Sequence, residues 1–599
     1  MSKEVFRTKY LNAALHYTEL LDKQERRVLL VSVLRLLLFL SGIFLIWFGF
    51  TVNIYTGFAL TFILTGLFLW LLRLFSQLSA RKDFFSNMAM INRNEAAALS
   101  GDLSAFNNGN AYVDIKHDFS FDVDLFGESS LFQYLNRTVT GFGRDMLAGW
   151  LSDPYSLKDL IEDRQTTIKE LAAKDVWRQE FTASGMITPL EREDISDILG
   201  WMGEKEIINS SYLKKILLKL LPALALVFLL FWIAGIVPYT LFVSFTLLNL
   251  IYVVSGIKKT NGIHKVLSKK YNFLSSMSSL LRTFENESFD SPALNRIKSD
   301  FTGKEISASV AVKKLGRLIQ SFDSRNNMMV GFVLNGLLLW DFQCVSRLEK
   351  WKSEYRSFFP AWLSMIGEVD AFNSLSNYAY NNPDFAFPAL SDNRDVFSAK
   401  GLGHQLIDEE KRVCNDFSLG EDGTVCIITG ANMAGKSTFL RTVAVNFILG
   451  MTGAPVCASS LKFKPSGIFT SMRTVDSLSD NESYFYAEVR RLSLLKSRIE
   501  KGEPLLFILD EILKGTNSED KSLGSKLFLK RIIENQGTGL IATHDTSLAN
   551  LESEYNCVIN KCFEIEIDEQ SIRFDYKIQD GITSKMNAVF LMKQMGILD

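Results

Sequence analysis

Two stretches of this chain are apolar on every side. Leu36–Leu72 and Leu220–Ile257 contain no Asp, Glu, Lys or Arg. One straight membrane span needs about 20 apolar residues, so each stretch is long enough for nearly two. Asn53, with Gly57 just beyond it, marks a turn in the first, and Pro238 breaks the second. The pattern predicts two transmembrane helical hairpins, over 28–76 and 214–257. Helices buried in a water-soluble core are also apolar, but they rarely lose all charge over such a length. The flanks are basic. Lys23, Arg26, Arg27 and Arg35 precede the first uncharged stretch, and Arg73, Arg81 and Lys82 follow it. Lys214, Lys215 and Lys219 precede the second, and Lys258, Lys259 and Lys265 follow it, while both connecting turns are uncharged. The positive-inside rule then places the N-terminal segment 1–27 and every large soluble part in the cytoplasm. The expected location is a bacterial inner membrane, crossed four times. Arg35 and Arg73 lie near span ends, where they can snorkel to the headgroups.

Between and after the hairpins the period changes to that of amphipathic helices. Segments 77–213 and 258–388 read as mostly helical. Leu147, Trp150 and Leu151 share one helical face, and Pro154 stops that helix. Trp340, Leu348 and Trp351 are apolar positions of the later segment. Asn381–Pro388, N-N-P-D-F-A-F-P, is a linker into a last region, 389–599.

That region has short runs that are apolar without alternation: Val425–Thr429, Leu505–Leu509 and Gly539–Ala542. Such runs suit strands of a parallel sheet covered on both faces. The first leads into G-A-N-M-A-G-K-S-T, which is Gly430, Ala431, Asn432, Met433, Ala434, Gly435, Lys436, Ser437 and Thr438. This fits the P-loop pattern, and Phe439–Leu449 behind it reads as the helix the motif requires. Glycines let backbone N–H groups close around a polyphosphate at the positive end of that helix. Lys436 would reach the β- and γ-phosphates of ATP, and the Ser437 hydroxyl would ligate Mg2+. The second run ends in Asp510-Glu511, at the carboxyl edge where open α/β sheets bind ligands. Asp510 would hold the Mg2+ shell, and Glu511 would orient or deprotonate the attacking water. The third run ends in Thr543-His544-Asp545, and His544 there can contact the γ-phosphate.

Composition adds limits. The formal charge of the 599 residues is −2, which gives no whole-chain basic signature for nucleic acid. Cys344, Cys414, Cys426, Cys457, Cys557 and Cys562 form no CxxC pair, so reduced thiols and no zinc site are expected. No cleavable signal peptide is expected, because the first apolar run starts late and lacks a small-residue cleavage site.

These motifs, in this order, resemble the MutS family. Ile468–Phe485, I-F-T-S-M-R-T-V-D-S-L-S-D-N-E-S-Y-F, is similar to the family's stretch between the two Walker motifs, with Asp476 and Ser483 in register. The resemblance implies that Ser483 is the signature serine, reaching the γ-phosphate held by a partner subunit. Glu488 matches the acidic residue after it, and Gly515-Thr516-Asn517 the loop behind Walker B. His544 matches the switch histidine, and Gly581–Leu598 the C-terminal helix-turn-helix that steadies an ATPase dimer. The Thr140–Pro154 run and Arg164-Gln165 are similar to the start of the family's core, or lever, domain. The fold so implied is multidomain, α plus α/β. With the two membrane hairpins read from the uncharged runs, the whole comprises helical membrane hairpins, a helical core interrupted by the second hairpin, and a C-terminal P-loop ATPase domain of ABC type with a mainly parallel sheet. ATP and Mg2+ are the implied cofactors, and a homodimer through the ATPase domain the implied assembly.

The departures concern DNA. Mismatch-recognising members carry a Phe-x-Glu wedge domain and a connector where this chain has its first hairpin. Phe126-Gly127-Glu128 fits the wedge by letters only. Glu482 and Tyr484 replace the basic and small residues usual beside the signature serine, and Asp145 stands where the core motif has Arg. Two readings follow: a membrane-anchored ATPase acting on DNA, or a membrane-bound ATPase switch acting on a protein partner or the bilayer. The basic positions that bear on the choice are Lys313, Lys314 and Arg317, then Arg347, Lys350, Lys352 and Arg356, with acidic residues interspersed.

Overall fold

A computed structural model describes residues 3–154, 157–186, 192–302, 306–391, 396–473, 484–568 and 571–583. Lys3–Val52 (α1) and Ile54–Leu99 (α2) form a helical hairpin that turns on one residue, Asn53. Asn53 is extended, and its side-chain oxygen accepts from the Tyr55 N–H, which starts α2. Gly49 and Gly57 let the two helices touch at that turn: a Cβ on Gly49 would meet Leu60 at 2.7 Å and the Gly57 backbone at 3.3 Å. Both helices run well past the apolar stretch, so the hairpin continues without a break into charged stalks.

A helical body follows. Its first part holds α3 (Leu131–Leu135), α4 (Gly141–Ser152), α5 (Lys158–Ala173), α6 (Asp175–Gly185) and α7 (Arg192–Gly203). Thr140 caps α4 through a hydrogen bond from the Gly143 N–H, and α4 stops at Ser152, two residues before Pro154. Leu147, Trp150 and Leu151 are buried on its inner face. A second hairpin, α8 (Tyr212–Ile233) and α9 (Tyr239–Leu267), turns just before Pro238. The body then resumes with α10 (Tyr271–Asn286), α11 (Pro292–Thr302), α12 (Ala308–Asp323), α13 (Met328–Leu338), α14 (Trp340–Tyr355) and α15 (Phe359–Asn381). By length and composition, α1, α2, α8 and α9 are each able to cross a membrane. α15 is the central rod: Asp370 on it, fully buried, accepts from the Val139 and Thr140 N–H groups and from the Thr140 hydroxyl.

The last region opens on a small sheet of β1 (Ala389–Leu390), β2 (Phe397–Leu402) and β3 (Asn415–Leu419), joined later by β5 (Ser460–Phe463). A larger six-stranded sheet holds β4 (Val425–Gly430), β6 (Gly467–Ser471), β7 (Leu505–Asp510), β8 (Thr538–Thr543), β9 (Val558–Phe563) and β12 (Ile578–Asp580). β10 (Glu566–Asp568) and β11 (Ser571–Arg573) make a side hairpin. The strand order is β12-β9-β4-β8-β7-β6, parallel throughout except for β12 on β9. α16 (Lys436–Met451), α17 (Tyr484–Glu500), α18 (Ser518–Glu534) and α19 (Leu551–Glu554) connect the strands. β4 and β8 are buried at every position, which explains their unbroken apolar runs.

Candidate active site

Strand register brings the predicted residues to one edge. Thr429 pairs with Thr543, and Ala542 pairs with Asp510. Gly430, Asp510 and His544 therefore leave the carboxyl ends of three adjacent parallel strands. The P-loop lies between β4 and α16, and the helix begins at Lys436, three residues earlier than the apolar run alone suggests. Ser437 and Thr438 thus sit in its first turn, whose N–H groups have no intrahelical partner. A cleft of about 840 Å³ is lined by residues 432–439 together with Asp510, Glu511 and His544.

The loop's geometry needs its glycines. Gly435 has φ +104°, and a Cβ there would stand 3.0 Å from the Tyr576 ring. Gly430 lies against the Phe563 carbonyl, 2.9 Å from where its Cβ would be. Met433 also has positive φ, at +66°, and points outward, 75% exposed. The Lys436 ammonium is folded under the loop and donates to the carbonyls of Gly430 (2.8 Å) and Ala431 (2.9 Å). The His544 ring stands 3.3 Å from the same ammonium, and its Nε2 is 2.6 Å from Glu511 Oε1. Lys436, His544 and Glu511 are thus one contiguous chain of polar contacts.

Electrostatics follow from that packing. The hydrogen bond from His544 draws the Glu511 carboxyl down to about 2, against the effect of its partial burial. Glu511 is therefore ionised at neutral pH. Burial pushes Lys436 down to about 8, although Glu511 and Asp510 nearby favour its charge. A polyphosphate needs the ammonium form, so binding above pH 8 must take up a proton. ATP affinity is expected to hold up to about pH 8 and then to fall about tenfold per pH unit. Titration with a fluorescent ATP analogue across this range checks it, and a flat profile to about pH 10 contradicts it.

The donor set suits the expected metal. Among the described residues no group of three or more His, Cys, Asp or Glu could hold an ion alone. Mg2+ asks less, because it keeps waters and takes one or two carboxylates plus phosphate oxygens. Ser437 and Asp510, both lining the cleft, match that requirement. All six cysteines are free thiols, and burial pushes Cys426, under the loop on β4, up to about 12.

Residues outside the Walker motifs also shape the site. Glu488 is buried and accepts from the N–H groups of Leu513 (2.6 Å) and Lys514 (3.1 Å). It fixes the segment that follows Glu511, where Glu511 and Leu513 both adopt positive φ. The loop from Leu402 to Asn415 forms another wall, with His404 and Lys411 in it. Burial pushes His404 down to about 4, so it is neutral. An acidic turn of the helical body grips the same domain: Asp124 pairs with Arg441 and Arg473, and Asp122 accepts from the Thr470 hydroxyl. Ser483, Glu482 and Asp476 lie outside the described residues, as does the segment from residue 584 on, where the helix-turn-helix is expected.

Comparison with known proteins agrees with this anatomy. The profile for MutS domain V matches residues 426–597, and that for MutS domain III matches residues 115–376. The chain belongs to the MutS family. The MutS domain V match contains the P-loop, Asp510-Glu511 and His544, and the domain III match spans α8 and α9. The chain is 32% identical over 238 residues to the DNA mismatch repair protein MutS of Aquifex pyrophilus, covering 39% of this chain and 27% of that one. It is 32% identical over 235 residues to the DNA mismatch repair protein MutS of Clostridioides difficile, covering 38% and 24%. With the MutS protein homolog 4 of Mus musculus the identity is 30% over 215 residues, covering 34% and 22%. The matched segments span about a quarter of the length of these relatives.

The MutS core-like residues have definite places. Phe126 is packed against Tyr112 and Phe132, with ring centroids 5.6 and 5.4 Å away, so it belongs to an aromatic cluster and does not project as a wedge. Asp145 accepts from the Tyr112 hydroxyl. Arg164 stacks on Trp150 and donates to the Thr452 carbonyl, just past the end of α16, while Gln165 donates to the Pro388 carbonyl. Of the basic positions, Lys313, Lys314, Arg317, Arg347, Lys350 and Arg356 are exposed. Lys352 is a correction to that set: it is buried and donates to the Glu204 carbonyl at 2.8 Å.

Proposed function

We propose that this chain is a membrane-anchored, homodimeric ATPase of MutS and ABC type, whose nucleotide state sets the hold of its helical core on DNA. The observation that carries the reading is the convergence of the P-loop, Asp510-Glu511 and His544 on one cleft. ATP with Mg2+ supplies a γ-phosphoryl group open to attack by water. Lys436 exchanges its two loop carbonyls for phosphate oxygens, which are the stronger acceptors. Glu511, ionised and oriented by His544, positions the water and takes its proton. α16 then links site to core. It starts at Lys436 and runs 16 residues, about 24 Å, to the turn where Thr452 meets Trp150 and Arg164. A shift of the loop against phosphate moves the base of the core directly.

The membrane part of the proposal rests on the length and apolar composition of α1, α2, α8 and α9 and on the basic residues that flank both uncharged stretches. The DNA part rests on the names of the relatives and on the exposed basic positions of α12 and α14. Its test is binding of the full chain, purified in detergent, to duplex, mismatched and branched DNA across a salt series. The expected result is affinity that falls steeply with salt and changes with Mg2+ and ATP. Lys313→Glu, Lys314→Glu and Arg317→Glu together should reduce the log–log salt slope by about 2 to 3. Absence of binding at about 50 mM salt rejects DNA and leaves a protein or the bilayer as the object of the switch.

A further inference from the structure

We propose that α13 is a re-entrant helix lying inside the bilayer beside the second hairpin, with lipid acyl chains as the partner of its exposed side chains. The inference rests on the membrane reading of α8 and α9 and adds a fifth inserted element to it. Residues 326–340 carry no charge, and the two charged residues that bracket them, Arg325 and Asp341, pair with each other at 3.0 Å. Both are largely buried, so the run is a loop closed at its neck by an ion pair. α13 has 11 residues, about 16 Å, which is half the thickness of the hydrocarbon core. It enters and turns back without crossing: α13 and α14 meet at 78°.

Its backbone ends are closed, as lipid requires. The Asn327 side chain accepts from the Val330 N–H at 3.2 Å. At the turn, Leu339 adopts a left-handed conformation, φ +50°, and donates its N–H to the Asn335 carbonyl. The Asn335 side chain accepts from the Asp341 N–H at 2.9 Å.

Depth follows from what α13 touches. Gly336 packs on α9 so closely that a Cβ would stand 2.7 Å from Thr246. Asn249 of α9, fully buried, donates to the Gly336 carbonyl at 2.7 Å. An amide inside an apolar span needs such a partner. Thr246 and Asn249 lie about 14 to 18 Å along α9 from Lys258, the first cation after the apolar run. If α9 crosses the bilayer, Gly336 sits within the hydrocarbon. The N-terminal turns of α13, before the contact at Gly336, present Met328, Met329, Phe332 and Val333, exposed by 88, 81, 61 and 54%. Four large apolar side chains exposed on so short a helix suit acyl chains and not water.

The test uses the full chain in phosphatidylcholine vesicles, with the two partly exposed thiols removed as Cys414→Ser and Cys557→Ser. Val333→Cys, Leu247→Cys and Arg317→Cys are labelled singly with an environment-sensitive fluorophore, and each variant is checked for ATP binding. Nitroxide-bearing phosphatidylcholine is then introduced. The expected result is loss of most emission at positions 333 and 247 and none at 317. Loss at 247 alone overturns the re-entrant helix and leaves the membrane hairpins standing. Loss at neither position overturns the membrane reading, and the inference with it.

Discussion

Glu511→Gln will bind ATP and keep it. The glutamine retains the shape of the side chain and an oxygen that can accept from His544, so the cleft persists. It lacks the negative charge that takes a proton from water. Removing a general base costs about 100- to 10,000-fold in turnover, so ATP hydrolysis should fall by that factor while ATP affinity changes little. Lys436→Ala behaves differently. It removes a charge-assisted hydrogen bond to phosphate, of about 1.5–3 kcal/mol, so affinity should fall about 10- to 100-fold. It also leaves the Gly430 and Ala431 carbonyls without their donor, so a modest loss of thermal stability should accompany it. Filter binding and phosphate release on the same preparations separate the two. Unchanged binding and turnover in both variants would sink the assignment of the site.

Mixed dimers should regain activity that neither variant has alone. By the family resemblance, Ser483 serves the nucleotide of the opposite subunit, where its hydroxyl donates to the γ-phosphate. Lys436→Ala chains hold ATP poorly but can complete a neighbour. Ser483→Ala chains hold ATP but cannot complete one. In a mixed dimer the intact Lys436 and the intact Ser483 meet in one of the two sites. Random exchange makes half the dimers mixed, so hydrolysis should return to about a quarter of the wild-type rate. Recovery of nothing, with subunit exchange demonstrated, rules out a composite site.

Much of the candidate site was legible because its chemistry is local in sequence. A loop that wraps phosphate needs glycines at set positions, and an apolar run ending in two carboxylates can hardly be other than a buried strand at a sheet edge. The strand register then brings Gly430, Asp510 and His544 together with no further information. What escaped were contacts between distant segments. Nothing around Thr452 announces that the end of α16 meets Trp150 and Arg164. Nothing in the loop from Leu402 to Asn415 marks it as a wall of the cleft. Lys352 stands among charged neighbours in the sequence, yet α14 is surrounded closely enough to bury it. α13 lies within the segment 258–388 that reads as helical, but nothing there marks it as a separate element. It is too short to read as a span, and its turn falls on Leu339, a residue that no turn rule favours. Glu488 was matched to a family position, but its work on the backbone after Glu511 became visible only in three dimensions.

On the proposed function, one chain both hydrolyses ATP and resides in a membrane. The most direct test is flotation of the full chain, reconstituted in lipid vesicles, through a density gradient after an alkaline carbonate wash, with phosphate release from Mg2+ and ATP measured in every fraction. The account predicts that the chain and the hydrolysis float together with the lipid, and that Glu511→Gln floats equally well without hydrolysis. A chain that stays at the bottom, or floats while neither form hydrolyses ATP, contradicts it.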